Sequence, residues 1–178
     1  MSAVRYLDRA LLDALAEAAR ASPRRRRNHN FHPDDDFPAH RLLNAIEPDS
    51  YLPPHRHLDP AKDESIVVLR GRLAVFIFDE AGALAECRLL APGDACCGVD
   101  IPHGVWHTVM ALESGTVIFE AKAGPYRPLM SAELAPWAPA EGDAAAAAYW
   151  SALAGRLASL SADSSSVSAS PDIGRPSR

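Results

Sequence analysis

The sequence predicts a mainly β fold, an antiparallel barrel or sandwich with one helix on either side. Between residues 24 and 126, short runs rich in Val, Ile, Phe and Leu alternate with turn-forming sequences. These turns are Asp79-Glu80-Ala81-Gly82, Ala91-Pro92-Gly93-Asp94 and Glu113-Ser114-Gly115. Short strands at such spacing are typical of antiparallel sandwiches and barrels. We therefore predict one β domain over residues 24–126.

The first helix is predicted in an N-terminal segment, residues 1–23. Leu7, Leu11 and Leu15 recur every four residues, which indicates an amphipathic helix over residues 6–20. Ser22-Pro23 ends the pattern.

The second helix is predicted in a C-terminal extension, residues 127–160. Asp143 can cap a helix that runs to about Leu157, because the alanines that follow it favour helical geometry. Residues 161–178 are mostly Ser, Ala, Asp, Pro and Arg. Such a composition buries little apolar surface, so we predict a disordered tail there.

Composition narrows the classes of partner. The chain has 178 residues, of which 48% are hydrophobic, and this is enough for one compact domain with a buried core. Its formal net charge of −5 gives no general attraction to nucleic acid or to an anionic membrane. We expect a small-molecule ligand, with neither nucleic acid nor membrane as a partner.

One basic run, Arg24 to Arg27, stands apart from this acidic balance. Beside the acidic residues 34–36 it is predicted to be a solvated or internally paired edge. Two alternatives remain open: the run contacts phosphates, or alternate residues of the segment point into a pocket and bind an anionic substrate.

The predicted location is cytoplasmic. The three cysteines, two of them adjacent, do not form a disulfide framework and fit a reducing compartment. Charged residues interrupt the first nine positions, so no secretory signal is expected. No apolar stretch reaches the roughly 18 residues that a membrane span needs.

Two histidine-bearing segments about fifty residues apart predict a metal site. Successive side chains of a strand alternate between faces, so His55 and His57 point the same way and can share one ion. His107 supplies a third imidazole from a distant strand, and Glu64 supplies a carboxylate oxygen. Three imidazoles and a carboxylate suit Fe, Mn, Zn or Ni without deciding among them. The alternative is three unrelated histidines.

The spacing of these residues resembles the two motifs of the cupin superfamily. Gly71 follows Glu64 in the first segment, and Pro102, Gly104 and His107 form an intact Pro-x-Gly-x-x-His pattern in the second. The resemblance implies a cupin-type antiparallel β-barrel, also called a double-stranded β-helix or jelly roll, with a metal on these residues. Six residues separate His57 from Glu64, where cupins usually have three or four.

A closer resemblance is to the WbuC family of cupin-fold metalloproteins, over residues 24–142. The residues that carry it are Asn28-His29-Asn30-Phe31-His32, Tyr51, Pro54-His55-Arg56-His57, Lys62, Glu64, Leu69-Arg70-Gly71, Phe78-Asp79, Trp106-His107-Thr108 and Glu120-Ala121-Lys122-Ala123-Gly124-Pro125-Tyr126. Members are often associated with polysaccharide or O-antigen biosynthesis. The resemblance therefore implies a small polar, sugar-derived substrate.

Four further residues are candidates for catalysis or substrate binding. Tyr51 shares parity with His55 if the strand is regular, so its hydroxyl is predicted to face the pocket as a proton carrier, although tyrosine also fills cores. Glu120 and Lys122 share a strand face and form either a pocket pair or a surface pair. The resemblance favours the pocket, with Glu120 catalytic and Lys122 binding substrate. His32 is predicted to bind substrate.

These observations predict a metal-dependent enzyme that acts on a small polar molecule in the barrel mouth. The ion acts as a Lewis acid or as a template for substrate oxygens, and an oxygen-dependent cleavage stays open. Two other hypotheses are a non-catalytic, metal-dependent carbohydrate-binding or sensing module and a metal-free structural role. The strand from residue 64 to 70 is apolar on both faces, and the second face is covered by the N-terminal helix or by another subunit. A homodimer is the predicted assembly.

Overall fold

The computed structural model describes the backbone of residues 4–165 and the side chains of residues 4–157. This part of the chain contains two α-helices and eight β-strands. In chain order they are α1 (Arg9–Ala21), β1 (Arg26–Asn30), β2 (Ala39–Ile46), β3 (Glu64–Arg70), β4 (Leu73–Phe78), β5 (Leu84–Leu90), β6 (Gly98–Ile101), β7 (Trp106–Ala111), β8 (Thr116–Ala123) and α2 (Ala146–Ser165).

The strands form two antiparallel sheets. The larger has the order β1-β2-β8-β3-β6 and the smaller the order β5-β4-β7. His55 pairs with His107 of β7 through an isolated β-bridge, which places the segment around His55 at the edge of the smaller sheet. Strands that alternate between two facing sheets in this order make a jelly roll. The predicted mainly β class with flanking helices is confirmed.

The main core lies between the sheets. Ile66 and Val68 of β3 and Ile118 of β8 face Val75 of β4 and Val109 of β7. In β3 the buried residues alternate with exposed ones, so Glu64, at the start of the strand, has the same inward parity as Ile66. The core thus fixes which way the polar residues at one end of the jelly roll point.

Each helix covers the outer face of one sheet. Leu15 and Ala19 of α1 pack on Leu43, Ala45 and Val117 of the larger sheet. The side chain of Asp8 caps α1 by accepting a hydrogen bond from the amide of Leu11. On the smaller sheet, residues of α2 pack on β4 and β7; they include Trp150 and Leu153, which contact Phe76, Phe78, Trp106 and Met110. Trp106 is therefore a packing residue.

The ends of the chain differ in detail from the predicted segments. Helix α2 continues to Ser165, beyond the predicted start of the tail at residue 161. Residues 166–178 of that tail lie outside the described residues. Neither described helix has the length and apolar character needed to cross a membrane. On the outer face of β3, Val67 is 40% exposed, and the homodimer stays a prediction.

The basic run is an internally paired edge. Arg24 and Arg26 both bind the carboxylate of Glu141, at 2.7 and 2.8 Å, and Arg25 pairs with Asp49 at 2.9 Å. The two pairs with Glu141 tie β1 and the residues before it to the C-terminal extension. The acidic partners are thus Glu141 and Asp49, and not the residues 34–36 that follow the run in the sequence.

Gly71 closes the turn between β3 and β4, and its replacement by alanine is expected to destabilise the fold. Gly71 has φ +78°, and a Cβ there would lie 2.9 Å from the Cα of Thr116. Gly93 has φ +81° with nothing within 4 Å of such a Cβ, so Gly93→Ala is a matched control for the backbone cost alone. We expect about 1 kcal/mol for Gly93→Ala and more than about 2 kcal/mol for Gly71→Ala, measured by urea unfolding. Equal losses would refute a packing role for Gly71.

Candidate metal centre

Three imidazoles meet at one end of the jelly roll. His55 and His107 exchange two backbone hydrogen bonds of 2.9 Å, which places their rings side by side with centroids 4.5 Å apart. His57 follows two residues later, and its ring centroid lies 5.3 Å from that of His55 and 6.2 Å from that of His107. The segment at residues 55–57 and strand β7 together form one wall of the site.

Glu64 faces the imidazoles from the other sheet. Its Oε2 lies 3.0 Å from Nε2 of His57 and 3.7 Å from Nε2 of His107. The ligand atoms that His55, His57 and Glu64 offer all lie within 4.8 Å of one another. The six residues between His57 and Glu64 form a loop, and Glu64 stays at the site because the β3 parity turns it inward.

The histidine tautomers fit metal binding. Nδ1 of His55 lies 3.1 Å from the carbonyl oxygen of Pro53, and Nδ1 of His107 lies 2.9 Å from that of Val105. A carbonyl only accepts, so each Nδ1 carries the proton and each Nε2 keeps its lone pair. Backbone carbonyls orient metal-binding histidines in this way. Desolvation, together with the neighbouring His107, lowers the pKa of His55 to about 3, which keeps its ring neutral.

A polar row crosses the inner face of the larger sheet at the same level. In register, His40 of β2 lies opposite Lys122 of β8, and Lys122 lies opposite Glu64 of β3. Glu120 precedes Lys122 by two residues on β8, so its side chain lies on the same inner face and closer to the core. The ammonium of Lys122 lies 2.7 Å from Oε1 of Glu120 and 3.7 Å from Oε1 of Glu64. Glu120 and Lys122 therefore form an internal pair, and Lys122 also lies near the candidate metal ligand Glu64.

The two carboxylates have opposite pKa shifts. Burial and the nearby charge of Glu64 raise the pKa of Glu120 to about 7. Burial also acts against ionisation of Glu64, but the nearby ammonium of Lys122 and the hydrogen bond with His57 outweigh it and lower the pKa of Glu64. The ammonium of Lys122 is desolvated, yet Glu120 and Glu64 raise its pKa. Near neutral pH, Glu120 is the carboxyl that can exchange a proton.

The shift of Glu120 predicts a pH-dependent stability in chelator-treated protein. A carboxyl whose pKa is raised on folding stabilises the fold below its unfolded pKa, and this contribution is lost as pH rises through about 7. Glutamine does not titrate, so the melting temperature of Glu120→Gln should increase relative to wild type between pH 5 and pH 8. A constant difference over that range would show that Glu120 is not desolvated.

A pocket of about 540 Å³ opens above the cluster. Its lining residues are His40, His55, His57, Leu58, Asp59, Lys62, Lys122, Ala123, Pro125, Tyr126, Arg127, Pro128, Leu129, Met130 and Glu133. Much of one side comes from residues 124–135, which we call the C-terminal arm. Its Glu133 carboxylate accepts hydrogen bonds from the amides of Leu58 and Met130, at 2.9 and 2.8 Å. The arm is thereby fixed beside the histidine segment.

The Tyr51 hydroxyl does not face the pocket as predicted. Its hydroxyl donates a 2.7 Å hydrogen bond to the carbonyl oxygen of Pro139, and its ring packs edge-on against Trp150, 5.3 Å away. These contacts lie on the outer face of the smaller sheet. Counting alternate positions back from His55 gave the wrong face for Tyr51, because residues 51–54 do not form a strand and include two prolines. Burial also raises the pKa of Tyr51, which makes it a poor proton carrier at neutral pH.

His32 does not line the pocket either. It follows the edge strand β1, and its ring stacks on His40, with centroids 3.9 Å apart and planes 10° apart. The pocket residue that the sequence analysis did not identify is His40, which lies opposite Lys122 in the sheet. The antiparallel pairing of β2 with β8 creates that position, and no local motif marks it.

Comparison with known proteins gives a partial family match and distant structural similarity. Residues 7–90 match the model of a domain of unknown function, DUF6016. No curated protein is significantly similar. Among solved structures, KdgF from Halomonas sp. is 22% identical, with a TM-score of 0.46 over 60% of this chain and 84% of that one. A cupin-2 domain protein from Shewanella frigidimarina is 23% identical, with a TM-score of 0.41 over 55% and 80%.

A conserved protein of unknown function from Streptococcus pyogenes is 12% identical, with a TM-score of 0.47 over 71% of this chain and 93% of that one. At these levels of identity and structural overlap, no activity is transferred from any of the three to this chain.

Proposed function

We propose that this protein is a cupin-type metalloenzyme that acts on a small polar, sugar-derived molecule. The observation that carries the proposal is the cluster of His55, His57 and Glu64, with His107 beside it, at the floor of an open pocket. Imidazole nitrogens, of which Nε2 of His55 and Nε2 of His107 keep free lone pairs, and an ionised carboxylate form a donor set that suits a divalent metal.

His55, His57, His107 and Glu64 are the residues that hold the metal in this proposal. The candidate ions are Fe, Mn, Zn and Ni, which all accept nitrogen and carboxylate ligands. The ion supplies Lewis-acid polarisation of a substrate oxygen. The chain contributes the orientation of the rings, which the carbonyl oxygens of Pro53 and Val105 fix.

Glu120 is the proposed proton carrier. Its carboxyl is buried, lies 2.7 Å from the ammonium of Lys122, and has a pKa raised to about 7. A general acid or base works best when its pKa lies near the working pH. Lys122 holds Glu120 in place and, as one of the pocket-lining residues, also contacts substrate oxygens in this proposal.

The pocket limits the size of the substrate. About 540 Å³ lies within the usual range for small-molecule sites and accommodates a monosaccharide derivative. The resemblance to the WbuC family supports a place in polysaccharide or O-antigen biosynthesis. A homodimer and a cytoplasmic location belong to the same proposal.

The test combines metal analysis with a ligand screen. Protein purified without a histidine tag is analysed for all first-row transition metals, and sugar nucleotides and deoxysugars are then screened for binding and turnover. The proposal expects close to one metal ion per chain and turnover of at least one compound. Binding without turnover would replace it with a binding or sensing module. Protein that neither contains nor takes up metal would leave a structural role.

A further inference from the structure

His40 is a pocket residue to which the proposed chemistry assigns no task. It lies on β2, in the larger sheet, whereas His55 and His57 belong to the opposite wall. The side chain lines the pocket although the residue is only 4% exposed. Its register partner is Lys122, so an imidazole and an ammonium stand side by side on this wall.

The surrounding residues hold the ring of His40 in one orientation. One face stacks on His32, with centroids 3.9 Å apart, and Nδ1 of His32 is itself 3.2 Å from the carbonyl oxygen of Arg41. Gly124 packs closely against the ring edge: a Cβ there would lie 2.7 Å from Cδ2 and 2.8 Å from Nε2 of His40. A ring fixed in this way loses little entropy on binding a ligand.

The hydrogen bonds of His40 define its tautomer. Nε2 lies 3.2 Å from the carbonyl oxygen of Asp35, which can only accept, so Nε2 carries the proton. Nδ1 then keeps a lone pair, and it has no hydrogen-bond partner within residues 4–157. Burial and the adjacent His32 lower the pKa of His40, in agreement with a neutral ring.

This wall therefore offers an acceptor next to a donor. Nδ1 of His40 accepts, and the ammonium of Lys122 has three N–H groups to share among Glu120, Glu64 and a ligand. A carboxylate or a phosphate ester oxygen presents only lone pairs and would face the lone pair of Nδ1. A hydroxyl group both donates and accepts, so it fits the pair.

We propose that His40 is a specificity-determining residue that accepts a hydrogen bond from a substrate hydroxyl, while Lys122 donates to an oxygen of the same or the adjacent hydroxyl. The inference rests on the proposed function and narrows it, because it requires a hydroxylated substrate whose hydroxyls, rather than an anionic group, contact the larger sheet. His32 acts as a positioning residue behind His40.

The test compares hydroxylated and deoxygenated probes. D-Glucose, D-galactose and D-mannose, each with its set of singly deoxygenated derivatives, are titrated into the metal-loaded protein, and binding is followed by ligand-observed NMR. Removal of one particular hydroxyl should weaken binding to wild type by about tenfold, since Nδ1 of His40 then loses its hydrogen-bond donor.

Variants of His40 test whether the weaker binding of the deoxy sugar is due to Nδ1. His40→Phe keeps the stacked ring but has no acceptor, so it should bind the sugar and its deoxy derivative equally. His40→Asn places an amide oxygen near the position of Nδ1 and should restore part of the discrimination. His29→Phe is the matched control, because His29 packs on Phe31, away from the pocket, and should behave as wild type.

The outcomes separate this inference from the proposed metal function. Retained metal with lost discrimination in His40→Phe supports it. Unchanged discrimination in His40→Phe, or the absence of binding of every probe to metal-loaded wild type, would overturn it while the metal site stands. A failure of the proposed function would instead appear as wild-type protein that takes up no metal.

Discussion

Replacing His55 with alanine is expected to reduce the bound divalent metal to less than about a tenth of the wild-type content, because one of the proposed ligands is lost while the other side chains stay buried around the gap. His107→Ala should do the same, since Nε2 of His107 lies 3.7 Å from Oε2 of Glu64, another proposed ligand. The measurement is elemental analysis of tag-free protein. Retained metal in both variants would refute the ligand assignment.

The fold should survive both replacements. The main core between the sheets is made of aliphatic side chains and does not include the histidines. We therefore expect the apo variants to melt within a few degrees of apo wild type. His29→Ala is a suitable control, because it removes an imidazole from a strand that takes no part in the site.

The second large effect is expected for Glu120→Gln. The amide keeps the size of the side chain and a hydrogen-bond contact with Lys122, but it cannot exchange a proton. Turnover of an identified substrate should fall on the order of a hundredfold or more, with metal content unchanged. Steady-state kinetics on metal-loaded protein gives the answer.

The same variant distinguishes an enzyme from a binding module. In a binder, loss of one charge-assisted contact should cost only about 1.5–3 kcal/mol of affinity and leave no rate to measure. Glu86→Gln, on the exposed strand β5, controls for loss of a carboxylate as such. A catalytic rate that is equal in Glu120→Gln and wild type would remove Glu120 from the mechanism.

The fold was predictable because its signals are local. Turn sequences, the leucine spacing of α1 and the alanine-rich start of α2 each act within a few residues. The approach of His55 and His57 to each other was also predictable from sequence, because the two histidines are separated by a single residue in an extended segment. The position of Glu64 is less evident from the local motif, because it depends on the alternation of buried and exposed side chains along β3.

Tyr51 shows where such reasoning stops. Counting in twos assumes an extended, regular strand, and Pro53 and Pro54 interrupt it between Tyr51 and His55. His40 shows a second limit, because its position depends on contacts between distant parts of the chain. Its place beside Lys122 arises from pairing between strands almost eighty residues apart in the chain, and only the three-dimensional register reveals it.

In the proposed enzyme, the C-terminal arm lines the pocket without supplying any of the candidate metal ligands. Seven of the fifteen pocket residues belong to the arm, whereas the candidate metal ligands lie in the jelly roll. Tyr126, Met130 and Leu134 are exposed, and exposed positions tolerate substitution at little cost in stability. Under the proposed function, substitutions in this one segment should change ligand preference while metal content stays constant, and exchange of the arm is the natural route to engineered specificity.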